Sequence, residues 1–94
     1  MRGDYNHPIM VIVTLYTKAD CPLCRRAERV ILSLQEELGF RFERQDITQD
    51  VMLYERYRFD IPVIAIDGQE RFRHRVGQAE LRAALGSTSR PQRP

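Results

Sequence analysis

Apolar positions in the first half of the chain fall into one continuous run and one helical stripe. Residues 9–16 are β-branched or otherwise apolar almost throughout, which predicts a central strand buried on both faces. After a loop at 17–20, apolar side chains recur at the spacing of one helix face, at Leu23, Ala27, Val30, Ile31, Leu34 and Leu38. Pro22 suits the first turn of this helix, and Gly39 suits the residue just beyond its end.

The middle of the chain carries shorter patterns with polar breaks between them. Residues 40–46 begin with alternating aromatic and polar side chains, which predicts a second strand. Thr48 is expected to cap a short helix that reaches about Tyr57. The predicted buried positions of this helix are Val51, Leu53, Tyr54 and Tyr57.

A hairpin and a closing helix are predicted for the rest of the domain. The apolar run 62–66 is a third strand, and Asp67-Gly68 after it is a strong hairpin signal. The chain then returns as a fourth strand over 70–76, followed by a helix over 79–85. The two predicted faces of the fourth strand are Phe72 with His74, and Arg71 with Arg73 and Arg75.

The predicted element order is β-α-β-α-β-β-α, which defines an α/β fold. The first βαβ unit should be parallel with a right-handed crossover. The hairpin adds an antiparallel pair, so we expect a mixed four-stranded sheet flanked by helices in one domain over 9–85. Residues 1–8 and the Gly-, Ser- and Pro-rich residues 86–94 are predicted to be a flexible arm and tail.

Composition and charge narrow the class of protein. Of the 94 residues, 43% are hydrophobic and 30% are charged, which is ordinary for a globular protein, and the net charge of +2 is too small to imply nucleic-acid binding. The apolar run 9–13 is far short of the ~20 residues of a membrane span. Residues 3–8 lack the apolar core of an export signal. We therefore expect a monomeric cytoplasmic protein with no membrane or nucleic-acid partner.

The candidate chemistry lies in Cys21-Pro22-Leu23-Cys24, at the start of the first helix. Two cysteines three positions apart on a helix are separated by ~5–6 Å, which a disulfide can bridge. Cys21 sits where unpaired N–H groups and the helix dipole favour an anion, so its thiolate should be the better nucleophile. Cys24, one turn further in, should be more enclosed and suited to resolving a mixed disulfide.

The cysteine pair is also compatible with four different roles. A structural zinc site needs four ligands, and the chain offers only Cys21, Cys24, His7 and His74, so no metal is expected. The pair could instead be two inert core cysteines. A [2Fe–2S] cluster that bridges two chains through Cys21, and a non-catalytic adaptor that keeps the fold for partner binding, are the two further alternatives.

Two segments carry a family resemblance: Tyr16-Thr17-Lys18-Ala19-Asp20-Cys21-Pro22-Leu23-Cys24 and, far downstream, Asp60-Ile61-Pro62-Val63. The first has a Lys three residues before the first cysteine of a C-P-x-C motif, and the second has an apolar-Pro-Val element that opens the third strand. In both, the chain resembles glutaredoxin-like proteins of the thioredoxin superfamily, over about residues 9–85. The resemblance implies a thioredoxin fold and a thiol–disulfide oxidoreductase or electron carrier.

The resemblance also implies roles for the matching residues. Cys21 would be the attacking thiolate and Cys24 the resolving thiol, and the two would form the redox-active disulfide. Pro62 would be a cis-proline that faces the pair. The substrate-binding residues would be Lys18 for a carboxylate, Ile61 through its backbone, and Gly77 for the γ-glutamyl end of glutathione.

The implied partners are small thiols and disulfides rather than a bound cofactor. The substrate would be a disulfide-containing protein or a glutathione mixed disulfide. The electrons would come from glutathione or from a thiol supplied by a reductase.

The chain departs from the family pattern at several positions. Leu23 stands where glutaredoxins usually carry Tyr, and Asp60 stands where they usually carry Thr. Of the usual Gly-Gly pair followed by an acidic residue, only Gly77 clearly matches within 76–80. Asp60 would place a negative charge near a glutathione carboxylate. We interpret the arginines of the fourth strand as a charged edge that discourages strand addition, and His74 as a packed histidine.

Overall fold

The protein, in a computed structural model, is described over residues 11–88 and forms one four-stranded sheet with helices on both faces. The strands are β1 Ile12–Thr17, β2 Arg41–Asp46, β3 Val63–Ile66 and β4 Gln69–Arg73. The helices are α1 Pro22–Leu38, α2 Val51–Tyr57 and α3 Gln78–Thr88, and a 3₁₀ turn, Ile47–Gln49, precedes α2. The predicted element order and the α/β class are confirmed.

Some predictions concern residues beyond this range. The arm over 1–8, the first residues of the predicted strand (9 and 10) and residues 89–94 of the tail lie outside the described residues. Within the described range, α3 continues to Thr88 rather than ending at Leu85. No helix formed by residues 11–88 has the length and apolar character needed to cross a bilayer.

The sheet is organised around β1, which has a partner on each side. β1 pairs in parallel with β2, from Ile12 opposite Arg41 to Thr17 opposite Asp46. On its other side it pairs antiparallel with β3, and β3 pairs antiparallel with β4, so the strand order is β2-β1-β3-β4. The carboxyl ends of β1, β2 and β4 therefore meet the amino end of β3 at one edge of the sheet, which we call the carboxyl edge.

One face of the sheet is covered by α1 and α3. The buried side chains of this larger core are contributed by β1 (Val13, Leu15), β3 (Ile64, Ile66), α1 (Ala27, Ile31, Leu34) and α3 (Leu81, Ala84, Leu85). Their spacing on α1 is the helical stripe read from the sequence, and Leu38 at the end of that stripe is exposed. Burial of these side chains is the main stabilising term of the fold.

The opposite face carries a smaller core under α2. Ile47, Tyr57 and Val63 are buried there, and the rings of Tyr16 and Tyr57 lie 4.5 Å apart between centroids. Ile61 packs against the same cluster. This core ties the segment before β3 to α2 and to the end of β1.

Helix α1 begins and ends with residues suited to those positions. Cys21 is its N-cap with an extended backbone, and Pro22 follows at the first helical position, where its missing N–H costs no helical hydrogen bond. Gly39 ends the helix at φ 80°, a left-handed conformation that favours glycine, and its N–H donates to the Gln35 carbonyl.

Two predictions about α2 are wrong. Thr48 does not cap the helix, because it lies in the 3₁₀ turn capped by Asp46; the N-cap of α2 is Asp50, whose side chain accepts from the N–H groups of Met52 and Leu53. Val51 is 78% exposed instead of buried, since the later cap makes it the first residue of the helix, where it faces solvent. Tyr57 is buried, as predicted.

The prediction for β4 is also corrected. A bulge opposite Ile64 and Ala65 places Glu70 opposite Ala65 and Phe72 opposite Ile64, which breaks the alternation on which a three-arginine face depends. The strand ends at Arg73, and His74 has φ 71° and is exposed, so it is not a packed histidine. Arg75 therefore lies beyond the strand.

Loss of the α2 cap should destabilise the protein measurably. Asp50→Ala removes the acceptor of two helical N–H groups and should lower the free energy of unfolding by about 1 kcal/mol, measured by urea denaturation. Gln49→Ala, at the preceding exposed position, is the control and should cost less than about 0.5 kcal/mol. Equal losses in the two variants would contradict the assignment of Asp50 as the cap.

Candidate functional site

The cysteine pair lies at the carboxyl edge, where β1 leads into α1. Residues 18–20 connect Thr17 at the end of β1 to Cys21, the N-cap of α1. An N-cap residue faces the unpaired N–H groups of the first turn, because those groups have no partner inside the helix. Here the Sγ of Cys21 accepts from the Cys24 N–H at 3.2 Å.

The two cysteines are joined and differ in exposure. Cys21 and Cys24 form a disulfide with their Cα atoms 5.2 Å apart, as the helical spacing predicts. Cys21 is half-buried, whereas Cys24 is only 1% exposed. A reagent from solvent therefore meets Cys21 first, and Cys24 is reached through it.

Ile61 and Pro62 are brought to the same edge by the pairing of β3 with β1. Val63, the first residue of β3, lies opposite Tyr16 near the end of β1, so Pro62 falls beside the strand end that leads to Cys21. Pro62 is buried and the Ile61–Pro62 peptide is cis, as predicted. The Ile61 N–H donates to the Tyr57 carbonyl at 3.1 Å. A backbone contact between Ile61 and a substrate would therefore use the carbonyl of Ile61.

One groove of about 300 Å³ lies beside the cysteine motif between α1 and the loop that leads to α3. We call it the Leu23 groove; its lining is Leu23, Arg26, Ala27, His74, Arg75, Val76, Gly77 and Glu80. The Gly77 N–H donates to Oε1 of Glu80 at 2.7 Å, which makes Gly77 the N-cap of α3. The N–H of Gly77, the residue expected to bind the γ-glutamyl end of glutathione, is thus already engaged by the protein.

A second groove of about 320 Å³ lies on the other side of the first turn of α1. Lys18 is half-buried there, with Arg25 and with the ion pair that Arg44 forms with Glu28. The structure therefore places Lys18 and Gly77 in different grooves, with the cysteine motif between them.

Among residues 11–88, the candidate ligands for a metal are Cys21, Cys24 and His74. Within residues 11–88 no group of three or more His, Cys, Asp or Glu side chains is arranged to hold a metal ion. His74 lines the Leu23 groove, and His7 lies outside the described residues.

Comparison with known proteins gives the family. Residues 12–86 match the family described as "Glutaredoxin-like domain (DUF836)". The chain belongs to this glutaredoxin-like family. A Dictyostelium discoideum protein named "Glutaredoxin-like protein YDR286C homolog" is 28% identical over 86 residues, which cover 85% of this chain and 80% of that protein.

Solved structures agree with the thioredoxin fold of this glutaredoxin-like chain. A protein from X. campestris, target XcR50, is 30% identical with a TM-score of 0.66, and the match covers 81% of this chain and 97% of that one. A mutant thioredoxin from Halobacterium salinarum superposes with a TM-score of 0.69 at 17% identity, over 88% of this chain and 78% of that one. The second likeness bears on the fold alone.

A polar network beside the Pro62 segment was missed by sequence reasoning. The Tyr57 hydroxyl donates to Glu70 at 2.7 Å, and the Arg73 guanidinium binds Glu70 at 2.8 Å and Asp60 at 3.0 Å. We call these four residues the Asp60 network. Asp60, which departs from the glutaredoxin pattern, was the one sign of this network in the sequence. The pairing of Asp60 with Arg73 depends on the β4 bulge, which the sequence does not reveal.

The contacts of the Asp60 network shift the pKa values of Tyr57, Glu70 and Arg73. Burial and then the Glu70 hydrogen bond raise the pKa of Tyr57 to about 12. The hydrogen bonds from Tyr57 and Arg73 lower the pKa of Glu70. The hydrogen bond that Arg73 donates to Glu70, and then the charge of Asp60, raise the pKa of Arg73. The Tyr57 phenol therefore stays protonated and the Glu70 carboxylate stays ionised at neutral pH.

The exposure of the two sulfurs predicts the order of alkylation. In the reduced protein, limiting iodoacetamide should modify Cys21 well before Cys24, because Cys24 is enclosed and Cys21 is the more exposed and lies at the helix N-cap, a position that favours a thiolate. Peptide mapping by mass spectrometry measures the distribution. The same reagent after unfolding in urea is the control and should modify both; equal modification of the folded protein would contradict the ordering.

The pKa of Glu70 provides a test of the network. Tyr57→Phe removes the largest cause of its depression, so the carboxyl should titrate closer to the usual glutamate value, measured by NMR. In the wild type, ionised Glu70 adds to the free energy of unfolding above its unfolded-state pKa, and this contribution is lost as pH falls through the lower folded-state pKa. In the variant the two pKa values should lie closer together, so the contribution of Glu70 to the free energy of unfolding should be smaller. Tyr54→Phe, on the same helix, is the control. An unchanged Glu70 pKa in Tyr57→Phe would contradict the network.

Proposed function

We propose that this glutaredoxin-like protein reduces disulfide bonds by dithiol exchange through Cys21 and Cys24. The observation that carries the proposal is the asymmetry of the pair, with a half-buried sulfur at the helix N-cap and an enclosed sulfur one turn further in. Such an arrangement separates the attacking group from the resolving group. Inert core cysteines would both be enclosed.

The reaction has two exchange steps. The Cys21 thiolate attacks one sulfur of the substrate disulfide, a new S–S bond forms, and the other substrate sulfur leaves as a thiolate that takes a proton from water. Cys24 then loses its proton to solvent and attacks the Cys21 sulfur. The second substrate thiolate is released, and the protein keeps the Cys21–Cys24 disulfide, having supplied two electrons.

Helix α1 and nearby cations support the thiolate form of Cys21. The Cys24 N–H already donates to its sulfur, and the helix N-terminus adds partial positive charge. Lys18, Arg25 and Arg26 line the grooves beside the first turn, and the negative charge of Asp20, directly before Cys21 in the chain, opposes theirs. Both the backbone donor and the dipole stabilise the thiolate relative to the thiol, which lowers the thiol pKa.

We further propose protein disulfides and glutathione mixed disulfides as the substrates, with glutathione or a reductase-supplied thiol as the electron donor. The Leu23 groove offers room beside the motif, and the Ile61 carbonyl is available for an extended segment. The hydrogen bond between Gly77 and Glu80 favours protein disulfides, because a glutathione carboxylate would have to compete with Glu80 for that N–H.

Replacement of each cysteine separates the two steps. Cys21→Ser should abolish reduction of insulin disulfides, and Cys24→Ser should stop after the first exchange and accumulate a mixed disulfide visible by mass spectrometry. Normal turnover by Cys21→Ser would overturn the proposed function. A Cys24→Ser variant that accumulates no adduct would remove the resolving role.

The electron donor is identified by running matched assays. Reduction of a glutathione mixed disulfide and of insulin should be compared with glutathione plus its reductase and with a thioredoxin reductase system. We expect turnover with at least one donor, with insulin as the better substrate. Failure of both donors with both substrates would favour a non-catalytic adaptor.

A further inference from the structure

Asp60 contacts a residue that lines the Leu23 groove. Its Oδ1 is 3.8 Å from Nε2 of His74, and His74 lines the groove together with Leu23 of the cysteine motif. Asp60 also directly precedes Ile61 and Pro62 in the chain. A carboxylate acts over roughly 8 Å at physiological salt. Residues that flank a substrate cysteine in this groove are therefore exposed to the charge of Asp60.

The other charges of the groove are mostly positive. Arg26 and Arg75 both line it, and neither forms an ion pair within residues 11–88. Glu80 is the carboxylate in the lining, and it is held by the Gly77 N–H. Guanidinium groups bind carboxylates in a two-pronged geometry, so Arg26 and Arg75 suit an anionic substrate. The negative charge of Asp60, without a neighbouring cation, would repel such a substrate.

The positive charge of Arg73 offsets the negative charge of Asp60. Its guanidinium contacts Asp60 at 3.0 Å and Glu70 at 2.8 Å, and the Tyr57 hydroxyl holds Glu70 from the other side. The guanidinium is thus fixed between two carboxylates, on the strand that neighbours β3. Of the two carboxylates, Asp60 is the one in contact with a residue of the groove lining, His74.

We propose that Arg73 sets the charge preference of the Leu23 groove by offsetting the negative charge of Asp60, which makes the groove selective for disulfides whose cysteine is flanked by acidic residues. The proposal rests on the proposed function. Arg73 is a positioning residue, because it acts on the substrate through Asp60 and not by contact. It explains how this chain carries Asp in place of Thr beside the Pro62 segment without repelling an anionic partner.

The test compares two synthetic substrates at one fixed pH and low salt. One is a short peptide whose single cysteine is flanked by Glu on both sides; the other has Gln at those positions, and each is linked by a disulfide to 2-mercaptoethanol. The readout is the selectivity, the ratio of kcat/KM for the Glu peptide to that for the Gln peptide. Wild type should prefer the Glu peptide. Arg73→Gln should lower the selectivity about fivefold, and this loss should shrink in 0.5 M salt.

Three further variants isolate the mechanism. Asp60→Asn with Arg73→Gln in one chain should return the selectivity to within about twofold of wild type, and Arg73→Lys should retain it, because the compensating charge is kept. Arg41→Gln is the matched control: it breaks an exposed ion pair with Glu43, and Arg41 begins β2 at the opposite edge of the sheet, so its selectivity should stay at the wild-type value.

Several outcomes would overturn the proposal. Equal kcat/KM of wild type for both peptides would show that the groove has no charge preference. A fall in Arg73→Gln by the same factor for both peptides would assign Arg73 a purely structural role. A selectivity that stays low in the double variant would make Arg73 a direct ligand of the substrate. Failure of wild type to reduce even the Gln peptide would instead contradict the proposed function.

Discussion

The antiparallel pairing of β3 with β1 is the constraint on which the site depends. Because Val63 lies opposite Tyr16, the segment before β3 reaches the same edge of the sheet at which β1 leads into the cysteine motif. Residues some forty positions apart in the chain thereby share one surface. The Tyr16–Tyr57 contact and the burial of Ile47 and Val63 hold that arrangement from the second face of the sheet. Slippage of the pairing by one residue would exchange the two faces of β3.

The helix start gives the two cysteines unequal surroundings. Cys21 precedes the first helical turn and stays accessible, while Cys24 points into the protein one turn later. This difference in exposure between the two cysteines follows from their positions on the helix and from the sheet beneath it. Cations around the turn act in the same direction as the helix dipole. The dithiol chemistry that we propose uses this inequality.

Three carboxylates near the carboxyl edge are bound within the protein. Glu80 caps α3 through the Gly77 N–H, Asp60 pairs with Arg73, and Glu28 pairs with Arg44. Arg26 and Arg75 in the Leu23 groove have no such partner among the described residues. The guanidinium groups of Arg26 and Arg75 are therefore available to an incoming anion. The substrate preference that we propose thus rests on which side chains are paired and not on net charge.

The local sequence alone determined the elements and the position of the cysteine pair. Continuous and periodic apolar runs identify strands and helices, and Pro22 and Gly39 mark the ends of α1, because these signals act within a few residues of themselves. The start of α2 was misplaced because Thr48 and Asp50 are both good caps, and only the 3₁₀ turn distinguishes them. The β4 bulge, the exposure of His74 and the partner of Asp60 were decided by the tertiary structure. All three features depend on strand register. Register is fixed only when strands that are distant in the sequence pair and bury their side chains.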